Sequence, residues 1–161
     1  MKRRQAKRAR RRRGSGQPVL SFARIDAESS ILRWHLGRHG DAILAHFPSF
    51  LTRLAQGPAA VALIFDGDQV VGLAAWRPTE AEEGVAELLA LHACGPDLAA
   101  AELAAFAHGP DGPLVGAGIT TVWAVADAKG QAKLLQEAGY GLDQETPPAR
   151  PSLARWSRPT A

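Results

Sequence analysis

Two of the five histidines and the single cysteine of this sequence could together do metal or nucleophilic chemistry. His35 and His39 are four residues apart and would share one face of a helix, provided that the helix tolerates Gly37 between them. A metal site needs further ligands, and no acidic cluster or cysteine stands near this pair in the sequence. Cys94 has no neighbour that identifies an activating partner, so we expect it to be a small buried hydrophobic residue. We therefore predict a surface histidine pair and no metal site.

A dense basic run opens the sequence and has the charge for phosphate binding. It contains nine of the nineteen lysines and arginines and no acidic residue. These nine are Lys2, Arg3, Arg4, Lys7, Arg8, Arg10, Arg11, Arg12 and Arg13. Each cation placed on a phosphate releases counterions, which gives affinity without base recognition, and a run of this kind does not fold alone. We predict that residues 1–16 form a disordered tail that binds nucleic acid or another polyanion; a solubilising or targeting extension is the alternative.

The rest of the chain has the composition of one folded, acidic domain. Outside the tail, ten basic residues stand against sixteen acidic ones, a formal charge of −6. The hydrophobic fraction of 46% suits a single domain with its own core at 17–161. No apolar run approaches the roughly 18 residues of a membrane-spanning helix, and a single cysteine allows no internal disulfide. We expect no membrane partner and a cytoplasmic location, or a virion-associated one if the gene is phage-encoded.

Strand and helix patterns along this domain predict an α/β (α+β) fold. Period-two and β-prone runs predict strands at 19–25, 61–65, 69–76, 85–91, 119–125, 141–146 and 152–157. Helical patterns occupy 31–36, 41–54, 98–106 and 129–138, with breaks at Gly37, Gly40 and Pro48. The helix between the strands at 85–91 and 119–125 requires a crossover connection, which is typical of a parallel strand pair.

This order of elements resembles that of the GNAT family of N-acetyltransferases. In the hairpin FDGDQVVG at 65–72 a glycine follows a hydrophobic pair, as in the family. The segment LLQEAGY at 134–140 is similar to the family's last helix, which ends in glycine and an aromatic residue. The resemblance covers about 19–156 and implies a mixed, mostly antiparallel central sheet flanked by helices. It also implies a gap after the fourth strand for acetyl-CoA, with the pyrophosphate on N–H groups at the start of the next helix.

The phosphate loop departs from the family pattern. That pattern has Arg or Gln, two residues, Gly, one residue, and Gly or Ala, whereas this chain has ACGPDLAA at 93–100. Pro96 has no N–H, and Asp97 would bring negative charge to a pyrophosphate. Since Asp97 is a good N-cap residue, we predict a self-capped helix that is closed to phosphate. If acyl-CoA binds, the resemblance assigns its contacts to Cys94, Gly95, Leu98 and Ala99.

The resemblance also indicates where catalytic residues would lie. Leu135 stands where the family frequently has a tyrosine general acid, and Ala128 stands near its cofactor-contacting asparagine. Tyr140 matches a packing aromatic, and we expect it in the core. The fourth strand, where the family often has its general base, offers Glu87 and His92. Their odd separation predicts that they face opposite sides of the sheet, so that at most one faces the cleft.

Two functions stay open on the sequence. The absent loop glycines, tyrosine and asparagine favour a non-catalytic GNAT-like interaction or structural module, anchored to nucleic acid by its tail as a virion or ribonucleoprotein component. The alternative is an acyl-CoA-dependent N-acyltransferase that uses acetyl-CoA and is recruited to nucleic acid or a ribonucleoprotein by the same tail. Trp34, Phe47 and Phe50 are either core residues or a face for a protein partner.

Overall fold

The computed structural model describes residues 19–95, 97–126, 131–142 and 154–160. The basic tail predicted at 1–16, Pro96 and Ala128 lie outside these described residues. So do 143–153, where most of the predicted connection between the last two strands falls.

A seven-stranded sheet organises the described part of the chain. Its strands are β1 Leu20–Ile25, β2 Ala60–Asp66, β3 Gln69–Pro78, β4 Val85–Ala93, β5 Thr121–Ala126, β6 Gly141–Leu142 and β7 Ala154–Pro159. They lie in the order β1-β2-β3-β4-β5-β7-β6, and every neighbouring pair is antiparallel except β4 and β5. The prediction of an α/β fold with a mixed, mostly antiparallel sheet is confirmed.

The helices lie between the strands as predicted, with one difference in number and one in continuity. They are α1 Ser30–His46, α2 Phe50–Ala55, α3 Ala100–Ala107, α4 Pro113–Gly116 and α5 Gln131–Glu137. The short α4 has no counterpart in the sequence-based prediction. None of the described helices is long and apolar enough to span a bilayer.

The predicted breaks at Gly37 and Gly40 are wrong, because α1 runs through both as a single helix of 17 residues. A glycine inside a helix costs about 1 kcal/mol relative to alanine. Burial of Leu32 and Ile43 on the helix offsets that cost. At the start of the helix, Ser29 Oγ accepts the N–H of Leu32 at 3.1 Å.

Different helices cover the two faces of β3 and β4. A Cβ atom added to Gly72 of β3 would lie 2.7 Å from Leu103 Cδ1, so α3 packs directly on that glycine. This close approach explains the glycine after the hydrophobic pair of the hairpin. Leu73 and its β4 partner His92 point to the opposite face, where the ring of His92 lies 6.2 Å from that of His39 on α1.

Two of the three aromatic residues that the sequence left as either core or partner-face residues lie in the core. Phe47 and Phe50 are buried between the α1–α2 corner and the sheet, and both belong to the main hydrophobic cluster. Trp34 is 58% exposed, and the guanidinium of Arg38 lies 4.8 Å from the centre of its ring. The first two side chains are therefore core residues, and Trp34 lies at the surface.

Candidate functional site

β4 and β5 pair only at their first residues and then separate. The register joins Val85, Ala86 and Glu87 to Thr121, Val122 and Trp123. Beyond these three pairs β4 continues to Ala93 and β5 to Ala126 without further pairing between them. The result is a wedge in the sheet, defined here as the space between 88–93 of β4 and 124–126 of β5. An unpaired strand edge of this kind can hold an extended ligand through main-chain hydrogen bonds.

Leu89 forms a β-bulge at the edge of this wedge. Ala90 pairs with Ala75 and Leu88 pairs with Trp76, so Leu89 is an extra residue without a partner on β3. Because β5 has already diverged, Leu89 has no ladder partner on either neighbouring strand. Bulges are frequent next to active sites, where they interrupt the ladder and redirect side chains.

The bulge overturns the prediction that Glu87 and His92 face opposite sides of the sheet. Their partners on β3 are Arg77 and Leu73, which are four residues apart on a regular strand and hence share a face. The one extra residue at Leu89 shifts the alternation, so both candidate bases point towards α1 and α2. Simple strand periodicity fails here because the sequence carries no signal for the bulge.

Glu87 is committed to an ion pair. Its carboxylate contacts the guanidinium of Arg53 on α2, and its side chain is only 13% exposed. The main-chain oxygen of Arg53 accepts a hydrogen bond from Arg77 Nη2 on β3. These contacts tie α2 to the sheet. The carboxylate of Glu87 is therefore held by Arg53 and is not free to take a proton from an amine substrate.

His92 is half-buried near the end of β4 and has no carboxylate partner among the described residues. Burial lowers the pKa of its imidazole, and nearby His39 and His46 lower it further. The imidazole is therefore neutral at physiological pH and can accept a proton. Of the two predicted bases, Glu87 is paired with a cation and His92 is not.

The connection from β4 to α3 differs from its prediction. Asp97 is not the N-cap: that position is Ala99, which is in an extended conformation and whose side chain makes no capping hydrogen bond. Leu98 is buried, which brings the chain back to the core before the helix begins. The first N–H groups of such a helix have no intrahelical acceptor and attract anions. Glu102 is an acidic residue in this first turn.

The four residues predicted to contact a cofactor line this connection. Gly95 is exposed and has φ +103, and a Cβ there would meet no atom within 4 Å. Ala99 is exposed and Cys94 is half-buried. Because Gly95 and Ala99 are exposed and have little or no side chain, the backbone at these two positions is accessible to a ligand.

The structure brings His35, His39 and Cys94 together, against the prediction of a surface pair without further ligands. Their ligand atoms all lie within 4.8 Å of one another, and Cys94 Sγ is 3.5 Å from His35 Nε2. His35 is only 1% exposed, and its Nδ1 has no hydrogen-bond partner in the part of the chain that the structure describes. The prediction fails because the cysteine is brought in by the packing of α1 on the end of β4, across a sequence separation of 59 residues.

Burial sets the protonation of this cluster. It lowers the pKa of His35 to about 4, with smaller effects from His39 and His92. Burial likewise raises the pKa of the Cys94 thiol to about 11. At neutral pH the pair is therefore a thiol S–H and an uncharged imidazole, and Cys94 is not an activated thiolate.

Tyr140 is part of a separate buried pair. Its hydroxyl donates to His108 Nε2 at 2.6 Å, while His108 Nδ1 donates to the carbonyl of Ala104 at 2.7 Å. Burial lowers the pKa of His108 to about 4 and raises the pKa of Tyr140. The expectation that Tyr140 lies in the core is confirmed, and Leu135 is fully buried as well.

Comparisons with known proteins identify the fold. No protein-family model and no curated protein matches the chain in sequence. A Klebsiella pneumoniae protein assigned as an acyl-CoA N-acyltransferase matches in structure with 15% identity and a TM-score of 0.57, over 90% of this chain and 100% of its own. A Desulfovibrio desulfuricans protein assigned to the GNAT family of acetyltransferases matches with 16% identity and a TM-score of 0.52, over 89% of this chain and 100% of its own. A Bacillus subtilis acetyltransferase in complex with CoA matches with 12% identity and a TM-score of 0.50, over 89% of this chain and 100% of its own. The chain has a GNAT-like fold.

Proposed function

We propose that this domain is an acyl-CoA-dependent N-acyltransferase. The wedge between β4 and β5 carries the proposal, because it opens beside the start of α3, where the N-cap residue is an alanine. An extended pantetheine arm suits the unpaired edge of β4, and a pyrophosphate suits the N–H groups at the start of α3. Several proteins with this fold are acetyltransferases, and one was solved with CoA.

The residues at the wedge fit an acyl-CoA through their main chain. Gly95 and Ala99 present backbone without bulky side chains, and buried Leu98 anchors the connection between them. Bound acetyl-CoA would supply an activated thioester. The bulge at Leu89 interrupts the ladder at the edge of the wedge, which is where a main-chain donor to an acyl oxygen would have to lie.

We assign proton acceptance to His92. An amine must lose a proton before it attacks a thioester, and a positioned base contributes about 10²–10⁴-fold to such a step. The imidazole of His92 is uncharged at neutral pH because burial lowers its pKa. Glu87 is less suited to this role because Arg53 holds its carboxylate.

A pair of matched variants tests cofactor binding. Ala101 and Ala105 are both exposed and lie one turn apart on α3, but only Ala101 is in the first turn. Ala101→Asp puts a carboxylate beside the proposed pyrophosphate site and should weaken CoA binding by about 10-fold or more, as measured by calorimetry. Ala105→Asp should leave binding unchanged. An acidic residue in a first turn stabilises the helix, so the loss would not come from unfolding.

Turnover distinguishes the enzyme from the non-catalytic module. Acetyl-CoA is incubated with the full chain and a panel of amines, comprising polyamines, lysine peptides and free peptide N-termini, and free CoA thiol is measured. We expect release that depends on one amine class and falls about 10²-fold or more in His92→Gln. Absence of CoA binding, together with unchanged hydrogen exchange at 94–102, would overturn the acyltransferase proposal. The module interpretation rested in part on Asp97 as the N-cap of α3, and the N-cap residue is Ala99.

We further propose that the basic tail recruits the domain to a nucleic acid. The support is its nine cations without an acid, next to a body of formal charge −6. Deleting residues 1–14 should abolish retention on DNA or RNA, and with it a salt dependence whose slope approaches about −0.9 per phosphate contact. Equal retention by the truncated chain would contradict this role.

A further inference from the structure

We propose that His35, His39 and Cys94 form a binding site for a transition-metal dication with the coordination chemistry of Zn²⁺. Two elements build the site. α1 contributes the two histidines one turn apart on the face that lies against the sheet, and Cys94 follows directly after β4. The N–H of Cys94 donates to the carbonyl of Val71 at 2.8 Å, which fixes the cysteine backbone against β3.

The spacing of the ligand atoms suits a tetrahedral ion. Zn–S and Zn–N bonds of about 2.3 and 2.0–2.1 Å at a tetrahedral angle separate sulfur and nitrogen by about 3.5 Å. The Cys94 Sγ to His35 Nε2 distance is 3.5 Å. The largest separation in the cluster is 4.8 Å, which a rotation of the half-buried His39 imidazole can shorten.

The donor set selects the class of metal. Two imidazoles and a thiolate, with no carboxylate in the cluster, favour Zn²⁺ and related ions over Mg²⁺ and Ca²⁺, which require oxygen ligands. Three protein ligands leave one tetrahedral position for water, and His92 borders the cluster next to His39. The binding site therefore has the ligand count of an open zinc centre.

His35 gives an independent reason to expect a ligand. A buried polar atom usually has a hydrogen-bond partner, and an exception calls for an explanation such as an ion. Among the described residues Nδ1 of His35 has no hydrogen-bond partner, and Nε2 faces the Cys94 thiol at 3.5 Å. Coordination through Nε2 would give this 1% exposed imidazole a stronger partner than the thiol, and Nδ1 would then carry the hydrogen.

Binding of the metal ion releases one proton from the site. The Cys94 thiol loses its proton to solvent as the sulfur bonds to the metal, while His35 binds through a lone pair that is already free. A metal-bound cysteine is a thiolate and a metal-bound histidine is neutral, so one proton is released for each ion bound. No oxidant or second reactant is required.

Titration with metal alone tests the site and does not depend on the acyltransferase proposal. The untagged full chain is titrated with Co²⁺ as a spectroscopic probe and then with Zn²⁺. We expect one equivalent of Co²⁺ to produce a thiolate-to-cobalt charge-transfer band, which Zn²⁺ then removes. Zn²⁺ should also raise the unfolding temperature. The absence of a thiolate band at saturation would overturn the proposal.

Three variants identify the ligands. Loss of a group that only supports a ligand costs about 10–100-fold in affinity, so His39→Gln should lose at least that much. Cys94→Ser should lose the charge-transfer band and the stabilisation by Zn²⁺, with circular dichroism confirming its fold. His46→Gln is the matched control, because His46 is an exposed histidine on the same helix. Unchanged affinity in Cys94→Ser, or a loss in His46→Gln equal to that in His39→Gln, would contradict the site.

Discussion

Two buried histidines of this fold have the same exposure and opposite surroundings. His35 and His108 are each 1% exposed, and burial lowers the pKa of each to about 4. Both nitrogens of His108 are hydrogen-bonded, to Tyr140 and to Ala104. Among the described residues, His35 Nε2 contacts the Cys94 thiol and its Nδ1 has no hydrogen-bond partner. The hydrogen bonds of His108 therefore stabilise the core, whereas those of His35 are incomplete.

Replacing each histidine by leucine should give the largest difference in the free energy of unfolding between the two positions. His108→Leu leaves the buried Tyr140 hydroxyl without its acceptor and should lower the free energy of unfolding by about 2–4 kcal/mol. His35→Leu removes a buried nitrogen that already lacks a partner, so the change should stay within about 1 kcal/mol. Urea unfolding at neutral pH with a chelator present measures both. A loss in His35→Leu as large as that in His108→Leu would contradict the comparison.

Acid should destabilise the protein through the same residues. In the unfolded chain His108 takes up a proton near its ordinary pKa of 6.5, whereas in the fold it does so only near about 4. Unfolding therefore binds a proton between these values, and stability that is complete above the higher pKa falls as the pH approaches the lower one. At about pH 5 the share of His108 is about 2 kcal/mol, and the share of His35 has the same sign. Unfolding curves of His108→Leu should show a shallower fall than those of the unmodified protein, and an identical pH dependence would refute this assignment.

Removing the hydrogen-bond partner of each histidine should give a smaller difference in the free energy of unfolding. Tyr140→Phe removes the donor to His108 Nε2 and should cost about 1 kcal/mol. Cys94→Ala removes only a weak thiol donor and should change the free energy of unfolding by less than about 0.5 kcal/mol in the absence of metal. Thermal unfolding of the two variants side by side measures the difference. Equal losses would show that the thiol contact is as structural as the phenol contact.

The sheet follows from local patterns of the sequence. Asp66 and Gly67 mark the hairpin, and the glycine at 72 signals the close approach of Leu103. The bulge at Leu89 has no such signal, because it depends on how β3 and β4 align over their whole length. As a result the shared face of Glu87 and His92 was not predictable from their spacing.

The candidate site was less predictable than the fold, because its parts are distant in sequence. Cys94 meets His35 only through the packing of α1 on the end of β4. Gly37 suggested a helix break that would have separated the two histidines, but burial along α1 overrides that local preference. Asp97 is a strong capping residue, yet the burial of Leu98 moves the helix start to Ala99 and leaves the aspartate outside it.

The sparse pairing of β4 with β5 divides the sheet into two plates along a short seam. Strands β1–β4 make one plate and β5, β7 and β6 the other, and three residue pairs join them in the ladder. Where the plates diverge, Phe47, Phe50, Leu88 and Val125 help to line a half-open pocket of about 20 Å³. Because three ladder pairs are all that join the two plates in the sheet, amide exchange should be faster at these pairs than at the centre of either plate.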